Sequence, residues 1–106
     1  MKVGIKNQIK KTVVEGLTAK VMGSGRLDVF ATPAMVAMME EAAHTSVEAE
    51  LEEGQGTVGT SMTVSHLAAT PVGMEVTCES ELVEVDGRKL VFEIKAMDEA
   101  GLIGEA

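Results

Sequence analysis

Between Thr32 and Gly54 the chain is built almost entirely from residues that favour one conformation. Alanine, methionine and glutamate dominate the stretch, and all three are strong helix formers. Thr32-Pro33 opens it, with threonine suited to the N-cap and proline to the first helical position. Gly54 supplies a C-terminal stop. The expected helix therefore runs from Pro33 to about Glu53. Met35, Met38, Met39, Ala42, Ala43 and Ser46 follow the three-and-four spacing of one face. Glu41, His44, Thr45 and Glu48 fall on the opposite side. Glu40 sits on the flank of the apolar stripe, near Val36, Ala43 and Val47, and is expected to be half-buried where Glu41 is solvated.

The rest of the chain reads as strands. Thr12 to Met22, with Val13, Val14, Leu17 and Val21, predicts a first strand, broken by Gly23-Ser24-Gly25. Thr57 to Leu67 is rich in threonine, valine and serine, with Val58, Met62 and Val64 on one face. Thr70-Pro71-Val72-Gly73 is a turn. From Met74 to Val85, Met74, Val76, Cys78 and Leu82 alternate with Glu75, Thr77, Glu79 and Glu81, a strand with one wet face. Asp86-Gly87 is a strong hairpin signal. Leu90, Phe92, Ile94 and Ala96 mark the inner face of the next strand, and Asp98 to Gly101 turns the chain into a last one at Leu102-Ile103. That last strand reads as cut short at Ala106, which predicts an open sheet edge for a partner or further chain to cover. One long apolar helix followed by antiparallel strands is an α+β pattern, with the helix packed on one sheet face. At 106 residues the whole is expected to be a single domain, residues 1–106.

Composition narrows the function. The formal net charge of −8 argues against a nucleic-acid partner, which needs a basic footprint. Five lysines (Lys2, Lys6, Lys10, Lys11 and Lys20) nevertheless crowd the first segment, and a local basic patch can still meet an anionic ligand. A single cysteine, Cys78, forbids an internal disulfide and suits a reducing compartment. No apolar run is long enough to span a bilayer, and the N-terminal residues lack the apolar core of a signal peptide. The cytoplasm is the expected location, with no membrane association. His44, His66 and Cys78 lack metal-ligand spacing, so no metal site is expected. Gly54, Gly56 and Gly59 spell a dinucleotide fingerprint in letters only, since they follow a helix and precede a strand. With only two aromatic residues, Phe30 and Phe92, eight methionines take over the filling of apolar space.

Three polar residues are candidates for chemistry: Thr32 at the helix start, Glu40 on its apolar flank and His66 on the face that carries Val58, Met62 and Val64. Each has a simpler reading, as an N-cap, a satisfied structural carboxylate and a structural imidazole. Together with their surroundings they match a family. Val29-Phe30-Ala31-Thr32-Pro33 through Met39-Glu40-Glu41-Ala42-Ala43, then Thr57-Val58-Gly59-Thr60, then Val64-Ser65-His66-Leu67-Ala68-Ala69-Thr70-Pro71-Val72-Gly73 resemble the fluoroacetyl-CoA thioesterase group of the hot-dog superfamily. The resemblance runs from about Thr12 onward.

That resemblance implies a hot-dog fold, an antiparallel sheet wrapped around one central helix, and hydrolysis of a small acyl-CoA thioester. No cofactor is implied beyond the CoA of the substrate. It implies a homodimer, open to further association as a tetramer, with sites near the subunit interface. Thr32, Glu40 and His66 would be catalytic, and Gly59 would line the substrate site. The residue types suit thioester chemistry. Histidine moves a proton near neutral pH. A glutamate acts as nucleophile or steadies the charged imidazole. A threonine hydroxyl attacks or positions, and a glycine lets its N–H approach an oxyanion. Thr32 and Glu40, eight residues apart, stand about 12 Å apart along a regular helix, so a site built from both calls for a second subunit or the substrate itself between them. The specialised enzyme of the group carries aromatic lid residues ahead of its threonine. Met22 to Asp28 has none, Phe30 being the one aromatic nearby and the candidate for contact with the acyl group, so selectivity for a fluorinated substrate is not expected. Arg26 in that stretch is a candidate for a CoA phosphate, or simply a solvated loop residue. A non-catalytic hot-dog module that binds acyl-CoA is the alternative. A dehydratase of the same fold would need a His and Asp pair in and around the helix, which is missing.

Overall fold

The computed structural model describes residues 1–106. Strand β1 spans Lys6–Thr12, followed by a 3₁₀ turn at Glu15–Leu17 and a single-turn helix α1 at Ala19–Met22. The long helix α2 spans Thr32–Val47, and β2 is only Ser65–His66. Strands β3 (Glu75–Asp86), β4 (Lys89–Asp98) and β5 (Gly101–Glu105) complete one antiparallel sheet in the order β1-β3-β4-β5-β2.

Helix α2 forms where its composition requires, and its inward face is the predicted one. Met35, Met38, Met39, Ala42 and Ala43 are all buried, joined by Ala34 and Val47. They pack on Val76 and Cys78 of β3, Ile94 and Ala96 of β4, and Ile103 of β5. Each of those strand residues is a position that alternation had assigned inward, except Ile103. The helix is shorter than expected, giving way to a 3₁₀ turn at Glu48–Glu50. Hydroxyls loosen its last turns: Thr45 Oγ1 donates to the Glu41 carbonyl at 2.6 Å and Ser46 Oγ to Ala43 at 2.6 Å.

Helix and sheet are also pinned by polar contacts. The Ala42 carbonyl accepts from Asn7 Nδ2 of β1 at 3.0 Å and from Ser80 Oγ of β3 at 3.2 Å. Ser80 is only 2% exposed, so this bond satisfies a hydroxyl that burial would otherwise penalise. Lys11 of β1 meets Glu41 at 3.5 Å across the same seam.

Two predicted strands are not strands. Thr12 to Met22 instead turns over, and β1 lies earlier. The reason is local: the Thr18 hydroxyl accepts from the Val21 N–H and caps α1, which leaves Val14 and Val21 exposed. β1 escaped notice because its inward positions include Asn7, satisfied by the helix rather than by apolar contact. Thr57 to Leu67 is regular only at Ser65–His66. The open edge expected at the chain's last strand is also absent there. β5 lies between β4 and β2, and β1 and β2 are the edges.

The β3–β4 hairpin turns at Gly87, whose φ of +59° suits glycine. At the β4–β5 turn, Asp98 accepts from the Ala100 and Gly101 N–H groups through Oδ1 and from the buried Thr70 hydroxyl through Oδ2, at 2.8, 3.2 and 2.8 Å. Thr70 is in turn joined to the entry of α2, where its carbonyl accepts from the Phe30 N–H at 2.8 Å. Asp98→Ala leaves a buried hydroxyl unsatisfied, and the expected loss is about 1–3 kcal/mol of stability. A urea melt that does not move would contradict this role.

Candidate active site

Thr32 and His66 are 34 residues apart in the chain, yet Thr32 Oγ1 stands 2.7 Å from His66 Nδ1. Both backbones are held from behind. The N–H groups of Leu67 and Ala68, just past His66, both donate to the Ile103 carbonyl of β5, at 2.7 and 3.3 Å. Further along, Val29 bridges to Pro71 and Phe30 bonds to Thr70. The segment from His66 to Pro71 is thus fastened to β5 at one end and to the approach of α2 at the other.

Thr32 is not the N-cap. Ala31 holds that position, with extended backbone and no side-chain cap. The threonine hydroxyl is therefore free of the helix and is spent on His66. The imidazole has its other nitrogen in a different condition: Nε2 is buried and has no hydrogen-bond partner. Burial lowers the His66 pKa below its ordinary range, and the Ala68 backbone opposes this only in part.

Glu40 and Gly59 form a second contact. A Cβ placed on Gly59 would lie 2.5 Å from Oε2 of Glu40 and 3.5 Å from its carboxyl carbon. Any side chain at Gly59 would have to push this carboxylate aside. Glu40 itself is exposed in the single chain, and Glu41 is the half-buried one, the reverse of the expectation. The Glu41 stem is covered because β1 crosses that side of the helix, a neighbour that rotation about the helix axis could not reveal. Glu40 has no cation beside it, the ion pairs being Lys11 with Glu41 and His44 with Glu48.

Phe30 does not line an open site. It is 2% exposed and belongs to the core, where it seats the approach to α2. Cys78 is likewise core, and burial pushes its thiol up to about 11. No three His, Cys, Asp or Glu side chains gather so as to hold a metal ion. No helix is long and apolar enough to cross a membrane. The Ile103 carbonyl and its double acceptance were not foreseen. The only signal was a short final strand opposite the His66 segment.

Residues 13–106 match the family model of the fluoroacetyl-CoA-specific thioesterase, FlK. The chain belongs to this family. A fluoroacetyl-CoA thioesterase of Streptantibioticus cattleyicolor is 44% identical over 77 residues, 73% of this chain and 55% of the relative. The chain thus spans little more than half the length of that curated relative. Among solved structures, a point mutant of the fluoroacetyl-CoA-specific thioesterase with fluoroacetate and CoA superposes with a TM-score of 0.94 at 35% identity, covering 100% of this chain and 90% of the other. A hot-dog-like protein from Thermanaerovibrio acidaminovorans superposes at 0.89 with 26% identity, covering 99% and 78%. The fold is accordingly the hot-dog fold. The thioesterase family match includes Thr32, Glu40, Gly59 and His66, all within the matched range.

The depressed His66 titration has a thermodynamic consequence. Below about pH 6.5 the unfolded chain binds a proton that folded His66 resists, so stability falls as pH drops below that point and is unaffected by this group above it. The expected result is a decline in the urea midpoint as the pH falls below about 6.5 that His66→Gln removes. A decline of the same size in both proteins would overturn the assignment.

Proposed function

We propose that this chain hydrolyses the thioester of a small acyl-CoA to the free acid and CoA. The observation that carries the reading is the 2.7 Å contact between Thr32 Oγ1 and His66 Nδ1 in a member of a thioesterase family. The relative with fluoroacetate and CoA, and a second crystallised with acetyl-CoA at 34% identity and a TM-score of 0.94, support the substrate class.

With its hydrogen on Nε2, His66 accepts from the Thr32 hydroxyl through Nδ1. The ring is then a base, and the lowered pKa keeps it neutral and ready at physiological pH. His66 Nδ1 takes the Thr32 hydroxyl proton as Thr32 takes one from the attacking water. The water oxygen forms the C–O bond, and His66 passes its proton to the departing CoA sulfur as the C–S bond breaks. Thr32 fixes the ring's orientation and tautomer. Glu40, in neither ion pair of the chain, steadies a positive imidazole or attacks the acyl carbon itself. The Gly59 backbone passes close to that carboxylate, and its N–H serves the thioester oxygen. No resident cofactor enters this scheme. The aromatic-free loop from Met22 to Asp28 supports a site without preference for fluorine. A lone, buried cysteine supports the cytoplasm as its location.

The test is thiol release from a panel of short, medium and aromatic acyl-CoAs. His66→Ala is expected to lower kcat by about 10²-fold or more with acyl-CoA affinity nearly unchanged. No turnover with any ester, while CoA esters still raise the melting temperature, would replace the hydrolase with a binding module.

The same reading includes a homodimer. Residues 57–64 make no backbone hydrogen bond, and Val58 is 85% and Met62 37% exposed. Such a segment leaves its backbone groups free for a partner to pair, and it carries Gly59 beside Glu40, so a second copy pairing there would wall the site. Light scattering is expected to give twice the chain mass, and Val58→Asp to give the monomer. A monomeric parent protein would sink this assembly.

A further inference from the structure

Gly104 has no conformational reason to be glycine. Its φ is not in the left-handed region, and it is paired on both sides, opposite Ala96 on one and His66 on the other. The reason is space. A Cβ there would lie 2.6 Å from Met35 Sδ, 2.7 Å from Met35 Cε and 3.1 Å from the Ser65 carbonyl. Met35 is fully buried and stands one helical turn after Thr32. Its thioether therefore lies flat against the β5 backbone at the point where β5 faces His66.

Around this point β5 departs from regularity. Ala96 pairs with Gly104 but Met97 with Leu102, so Ile103 is the extra residue of a β-bulge. Bulges re-aim a strand's groups, and here the Ile103 carbonyl is the one that holds Leu67 and Ala68. Neighbouring residues of β5 thus serve both halves of the Thr32–His66 contact: Ile103 holds the histidine's strand, and Gly104 receives the helix that carries the threonine.

We propose that Gly104 and Met35 are positioning residues for the Thr32–His66 pair, a notch in β5 and the side chain that seats in it, which together fix the gap between the two reacting groups. The inference rests on the thioesterase reading only for its effect on turnover. The seat itself is a statement about His66 and can be read without substrate. In a packed interior a methyl group at Gly104 displaces the Met35 thioether, which has no empty space to enter, and presses on the Ser65 carbonyl, backbone one residue before His66. The Thr32–His66 contact then lengthens and the ring gains water.

The test uses Gly104→Ala, read in two ways. Nitrogen-detected NMR of the two histidines, with exposed His44 as the reference within the same molecule, follows the His66 ring directly. The expected result is a His66 titration that moves up toward the ordinary histidine range, because the ring is no longer shielded. Thiol release is expected to fall in kcat by about 10²-fold, the loss typical of a reacting group misplaced by about 1 Å, with KM changed less than about twofold. Adding Met35→Ala to Gly104→Ala removes Sδ and Cε, the atoms in the way, and is expected to return both the titration and most of kcat. A merely structural glycine would lower the melting temperature and leave the titration and kcat of the folded fraction alone, which would overturn the proposal. So would a double variant no better than Gly104→Ala. If Gly104→Ala does not fold, Met35→Leu replaces the long thioether with a branched chain of similar volume. It must then raise the His66 titration and lower kcat, and unchanged values would overturn the proposal. A wild-type protein with no turnover but with the NMR shift intact would sink the thioesterase reading and leave the seat standing.

Discussion

The seating of α2 on the sheet is the contact from which the remainder of the molecule follows. Its apolar stripe meets the inward residues of β3, β4 and β5, and each fully buried methionine or valine there contributes about 1.5–3 kcal/mol. Apolar contact alone would tolerate some sliding. The Ala42 carbonyl, held by Asn7 from one strand and Ser80 from another, removes that freedom, because hydrogen bonds have direction where dispersion does not. The helix is pinned near its C-terminal half by polar bonds and near its start by the Met35 contact with β5. Thr32 stands at the end so fixed, and its meeting with His66 is a by-product of packing that serves stability first.

The candidate groups fall into two pairs, Thr32 with His66 and Glu40 with Gly59. Their separation along α2 follows from helix geometry and is not relieved by folding of the single chain. Chemistry that needs all four must bridge them from outside the protomer. The exposed, unbonded stretch that carries Gly59 lies where such a bridge would form. The single chain thus brings the members of each pair together and keeps the two pairs apart.

Much of this was readable from the sequence, for physical reasons that differ by element. β3 and β4 alternate strictly because one face is wet and the other is packed, and Asp86-Gly87 announces their turn. The methionine and alanine spacing of α2 announces its buried face. Thr32 and His66 were singled out through the pattern of residues around them, and folding brings their side chains together; no local signal says that an N-terminal hydroxyl has left its cap for an imidazole. β1 was missed because Asn7 faces inward, satisfied by a backbone carbonyl that belongs to a distant helix. Thr57 to Val64 has the composition of a strand and lacks a partner within the chain, so its propensity finds no ladder to join. The burial of Glu40 and Glu41 was reversed because the deciding neighbour, β1, comes from the other end of the sequence.

The fastening of His66 to the Ile103 carbonyl also orders events in time. Synthesis proceeds from the N-terminus, so β1, α2 and the His66 segment are all made before the strand that holds the histidine in place. Until β5 emerges and pairs, Leu67 and Ala68 have no acceptor and Met35 has no seat. A nascent chain can therefore bury much of its core while its imidazole remains unplaced. The pair of groups in the candidate site is assembled last, by the same strand that closes the sheet.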